Sequence, residues 1–64
     1  MSQVEKAIES AYGDQIESLY MVFSQAILLA NNDAEEVAAA EKRFKAGLAH
    51  AADVHTRARA AAEL

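Results

Sequence analysis

Ser18 to Asn32 (SLYMVFSQAILLANN) is a run of fifteen residues without a charge, in a chain of 64 residues of which 25% are charged. A helix lying on a core needs one apolar stripe and leaves its other faces polar. This run is apolar nearly all the way round, so a helix built from it has to be covered on more than one side. A chain of this length has little mass of its own to provide the cover. The expected remainder comes from a partner, either a second copy or another helical protein.

The usual reinforcements of a small domain are missing. The chain has no Cys, which removes disulfides and thiolate metal sites, and it has no Pro and only two Gly. Alanine dominates, with Glu, Leu, Lys and Gln behind it, which is the composition of helices. The net charge of −4 works against generic nucleic-acid binding, which depends on neutralising phosphates. The start, MSQVEKAIES, lacks a basic segment followed by an apolar run, so no signal peptide is expected. The longest apolar run, Leu19 to Ala30, is broken by Ser24 and Gln25 and falls short of the ~20 residues that span a bilayer. These features predict a cytoplasmic protein that does not enter a membrane.

Three segments place a capping residue three positions before a Glu: Ser2 before Glu5, Asp14 before Glu17, and Asp33 before Glu36. The third follows Asn31-Asn32, the one polar, turn-prone cluster. Glu35 and Glu36 crowd that helix start and Arg57 and Arg59 lie toward its far end, as the helix dipole favours. The prediction is an all-α chain in one domain: a helix over about 3–30, a turn over about 31–33 and a helix over about 34–62. Gly13 and the capping pattern at Asp14 leave two readings of the first helix, one continuous or kinked at Gly13, the other with a separate short N-terminal helix.

Ile16, Leu19, Phe23, Ile27 and Ala30 form one stripe on the first helix. Val37, Ala40, Phe44, Leu48, Ala51, His55, Ala58 and Ala62 form its counterpart on the second, with Gly47 and Val54 beside it. A short turn makes the helices antiparallel neighbours, so the fold class is an antiparallel two-helix hairpin that completes a helical bundle, coiled-coil fashion, by self-association or partner binding. A turn centred near Asn32 pairs Ile27 with Val37, Tyr20 with Phe44, Ile16 with Leu48, Glu9 with His55 and Glu5 with Arg59. The last two pairs are opposite charges, although charge played no part in setting the register.

Met21 and Leu28 lie a heptad apart and more than about 100° from the seam stripe, with Gln25 on their side. The expected partner-binding residues are Leu19, Tyr20, Met21, Val22, Gln25, Leu28 and Leu29. Singly, exposed apolar residues mean little; it is the missing charge across the whole run that gives these weight. Arg43, His50 and Arg57, at seven-residue spacing, read as a solvated flank, with docking to an acidic partner or an RNA backbone as the sharper alternative. His50 and His55 are five apart, which is the wrong helical spacing for a shared metal. No Cys nucleophile, serine elbow or phosphate loop is present, so no catalytic, cofactor-binding or metal site and no small-molecule substrate are expected.

The opening Met1-Ser2-Gln3-Val4-Glu5-Lys6-Ala7-Ile8, the length and the hairpin resemble the small helical-hairpin co-chaperones of type III secretion needle subunits. That resemblance implies a cytoplasmic, partner-holding chaperone whose apolar helix face packs on another protein. The architecture is also similar to small dimeric plasmid RNA-binding hairpins, which pair into four-helix bundles, although no RNA-contact motif carries over. The function expected from the residues is a non-enzymatic protein–protein interaction module such as a small chaperone, adaptor or assembly subunit. The alternatives are a nucleic-acid-binding regulatory hairpin and a self-assembling structural subunit.

Overall fold

The computed structural model describes residues 2–64; Met1, the first residue of the opening motif, lies outside them. Two helices of 28 residues each, α1 (Gln3–Ala30) and α2 (Ala34–Ala61), form an antiparallel hairpin with extents of 45 × 15 × 10 Å. The ends are set by side chains that satisfy free backbone N–H groups. The Ser2 hydroxyl accepts from Glu5 N at 3.0 Å, and the Asp33 carboxylate accepts from Glu36 N at 3.0 Å. Asp14 caps nothing: α1 runs through Gly13 without interruption. That settles the choice left open at Gly13 in favour of one helix. Tertiary packing of the stripe outweighs one glycine, whose helical cost is only ~1 kcal/mol.

Asn31 and Asn32 turn the chain by adopting left-handed backbone conformations, with φ of 49° and 68°. Asn is the residue after Gly that tolerates this region best. The C-terminus of α2 closes in the same manner. Glu63 has φ of 64°, its N–H donates to Ala60 O at 3.0 Å, and Leu64 N donates to Arg59 O at 2.9 Å. These are the two bonds of a Schellman end, formed without the usual glycine.

The seam joins the two stripes, but its register departs from the expected one. Phe44 stacks on Phe23, with ring centroids 4.6 Å apart, and not on Tyr20, which is 61% exposed. Tyr12 stacks on His55 at 4.2 Å, and Leu19 lies over Gly47. Each contact falls two or three residues beyond direct opposition about Asn32. The cause is side-chain direction. In a helix, side chains lean toward the N-terminus. In an antiparallel pair the tips on α1 lean toward the open end and those on α2 toward the turn, so residues that touch start from offset levels.

The interior is thin. Its buried residues are Ala30, Ala40 and Ala51, and none of the described large side chains is fully buried. Two helices cover one side of each other and nothing more.

Candidate docking face

The open end of the hairpin is fixed by a polar cluster. His55 Nε2 lies 2.9 Å from Glu9 Oε1, and since an ionised carboxylate only accepts, the imidazole N–H donates. Arg59 Nη1 donates to the same oxygen at 2.8 Å and reaches Glu5 Oε2 at 3.5 Å. The Glu9–His55 and Glu5–Arg59 pairs expected from the register are therefore formed, and Arg59 adds a third link. The His55 hydrogen bond, the largest influence, holds the Glu9 carboxyl below its ordinary range; partial burial opposes this and Arg59 reinforces it. Glu5 spends its carboxylate on Arg59 while its backbone N–H takes the Ser2 cap.

This cluster closes the hairpin and faces its own chain. The unsatisfied surface lies elsewhere, along α1. Val4 is 55% exposed, Val22 66%, Leu28 78% and Leu29 83%, with Met21 and Tyr20 near 60%. Of the residues expected to bind a partner, Tyr20, Met21, Val22, Gln25, Leu28 and Leu29 are exposed, whereas Leu19 is half-buried in the seam against Gly47.

The exposed residues do not form one surface. Met21 and Leu28 occupy the back of α1, roughly opposite the seam at 100° per residue. Tyr20 lies on one flank. Val22, Gln25 and Leu29 lie on the other, and there they continue a longer stripe: Val4, Ile8, Ala11, Gln15, Ser18, Val22, Gln25, Leu29. The steps alternate between four and three residues along the full length of α1, and no member is charged. This is a second heptad phase, about a quarter turn from the seam. The sequence reasoning missed its N-terminal half, because Glu5, Lys6 and Glu9 interrupt the linear sequence there. Counting a second seven-residue repeat beside the first is the signal that finds it.

Across the hairpin, the neighbouring edge of α2 completes a shallow apolar groove. Near the open end, Ile8, Ala11 and Gln15 share a hollow with Ala51, Val54 and Ala58. Near the turn, Val22 and Ala26 share one with Ala40, Arg43 and Phe44. Small residues on α2 leave the floor low; Arg43 stands at its rim, and His50 and Arg57 follow it at seven-residue spacing on the same flank of α2. Arg57 is held by Asp53 at 2.8 Å. The arrangement offers burial and shape. Among the described residues no three His, Asp or Glu side chains gather as a metal site, and no helix is long and apolar enough to cross a membrane. No protein family, characterised protein or solved structure matches this chain, so the face is to be read from its own residues.

Proposed function

We propose that the protein is a non-enzymatic helix-docking module whose groove, from Val4 to Leu29 on α1 and from Ala40 to Val54 on α2, receives helices of another protein chain. The observation that carries this is the pairing of an uncharged heptad stripe along all of α1 with an interior whose buried members, among the described residues, are three alanines. Covering one large apolar side chain is worth about 1.5–3 kcal/mol. Val22 and Leu29 thus leave apolar free energy open on the groove face that the hairpin's own seam does not reach. A chaperone, adaptor or assembly role in the cytoplasm is the form of this reading that the resemblance of the opening residues to secretion co-chaperones supports. A nucleic-acid role draws only on Arg43, His50 and Arg57, in a chain of net charge −4.

A photo-reactive residue placed at Leu29, activated in the native host, should give adducts with protein, either this chain or another. Those adducts should vanish when Val22 is changed to Lys. Adducts to nucleic acid, or protein adducts that survive Val22→Lys, would refute the reading.

A further inference from the structure

Accepting that the groove docks protein helices, we infer that its occupant is a second copy of this chain. The two hairpins lie side by side with their turns at the same end, and α1 of each packs on α2 of the other. Three observations fix this choice.

The first is shape and length. A helix in a four-helix bundle needs two contact stripes about a quarter turn apart, one for each neighbour. α1 has the seam and the Val4–Leu29 stripe. α2 has its seam and, on the groove side, exposed Val54 and Ala61 at seven-residue spacing, in line with Ala40 and Gly47, which the hairpin's own seam covers in large part. Both helices have 28 residues. A second hairpin therefore covers the groove from end to end and presents an equal groove in return, the isologous contact of a closed dimer.

The second is charge. α1 carries Glu5, Glu9, Asp14 and Glu17 against Lys6 alone, whereas α2 carries Lys42, Arg43, Lys45, Arg57 and Arg59 against four acids. Packing α2 on its own copy would bring two rims of Arg43, His50 and Arg57 together. Packing α2 on the partner's α1 sets that rim against the uncharged stripe and its one flanking acid, Asp14. Like charges brought together are disfavoured, and this selects the α1-to-α2 arrangement.

The third is register. With the turns at the same end, the partner's α2 occupies the same axial levels as the chain's own. Ala11 and Val54, Gln15 and Ala51, and Val22 and Arg43 already line shared hollows of one hairpin. In the dimer, Ala11 therefore meets the partner's Val54, Ser18 meets the partner's Gly47, and Gln15 lies beside the partner's His50. Small residues meet at Ala11 and Ser18 and polar ones at Gln15, while Val22 lies beside the partner's Arg43, whose aliphatic stem covers it with the charge at the rim, and Leu29 beside the partner's Glu36.

The chain has no Cys, which makes thiol cross-linking selective. Chains carrying Ala11→Cys or Val54→Cys, distinguished by a tag, are denatured, mixed, refolded and oxidised. The expected product is a disulfide between the two different chains. Either variant alone should give little cross-linked product, and the unmodified protein should have twice the 6.9 kDa chain mass in sedimentation. A monomer mass at millimolar concentration would overturn the second copy as occupant, while protein adducts at Leu29 would still support the docking module. Efficient linkage of Ala11→Cys to Val22→Cys would overturn the arrangement, because only α1 against α1 brings those positions together. Monomeric protein carrying co-purified RNA would overturn the dimer too.

Discussion

At the residue scale, the two glycines separate two demands on the same amino acid. An added Cβ at Gly13 would meet nothing within 4 Å, whereas at Gly47 it would come 2.6 Å from Leu19 Cδ2. Both lie within helices, where Gly costs ~1 kcal/mol relative to Ala. Gly13→Ala should therefore stabilise the protein by about 0.5–1 kcal/mol in urea titrations. Gly47→Ala should gain less or lose stability, because Leu19 must swing aside. Measured in a Leu19→Ala background, Gly47→Ala should show the full helical gain, and a double-mutant cycle without coupling would show that the helices do not meet there. Glu9 gives the second residue-scale prediction. Its folded pKa is lowered from 4.5, first by the His55 hydrogen bond, so its contribution is present above that value and is lost as pH falls through the folded one. Thermal melts from pH 6 to pH 3 should show a steeper decline in the native chain than in Glu9→Gln. Parallel curves would mean that the open-end cluster does not hold in solution.

At the element scale, caps define both helices. Ser2→Ala and Asp33→Ala should each cost about 1 kcal/mol. Glu63→Gly should relieve the left-handed strain at the end of α2, where Gly is the residue the conformation favours. Circular dichroism melts of the three variants check the set, and a neutral Asp33→Ala would contradict the observed cap. These elements were legible in advance because caps, turn residues and heptad spacing are local signals. Ser2, Asp33 and the Asn31-Asn32 turn could be read directly from neighbouring residues. The pairing of Glu9 with His55 followed from the turn alone. Two features were harder to read. Asp14 carries a capping pattern that the seam overrides, since Ile16, Leu19 and Phe23 continue an apolar stripe through it. Phe44 stacks on Phe23 instead of Tyr20, because axial levels ignore the lean of side chains toward each N-terminus. The proposed docking face was half legible. Val22, Gln25 and Leu29 stood out in the charge-free run, while Val4, Ile8 and Ala11 emerge only when position on the hairpin replaces position in sequence.

At the scale of the whole molecule, the balance between what is buried and what is left open decides stability. The hairpin's fully covered residues are Ala30, Ala40 and Ala51, and its aromatic pair Phe23–Phe44 is only half-buried. A two-helix unit of this size without Cys has no disulfide to offset the chain entropy it loses on folding. Its folded state should therefore draw on association, and stabilisation by association follows mass action. The melting temperature should climb steadily as the concentration of the unmodified chain is raised from micromolar to millimolar. Val22→Lys, on the groove face, should lower the melting temperature and flatten that climb, since in the proposed dimer it sets a second positive charge beside the partner's Arg43. Ala46→Gln, an exposed change away from both the seam and the groove, should leave the stability within about 0.5 kcal/mol of the native chain and the concentration dependence unchanged. A melting temperature independent of concentration in the native chain would show that the thin seam suffices alone, and the stability argument for a partner would then fail.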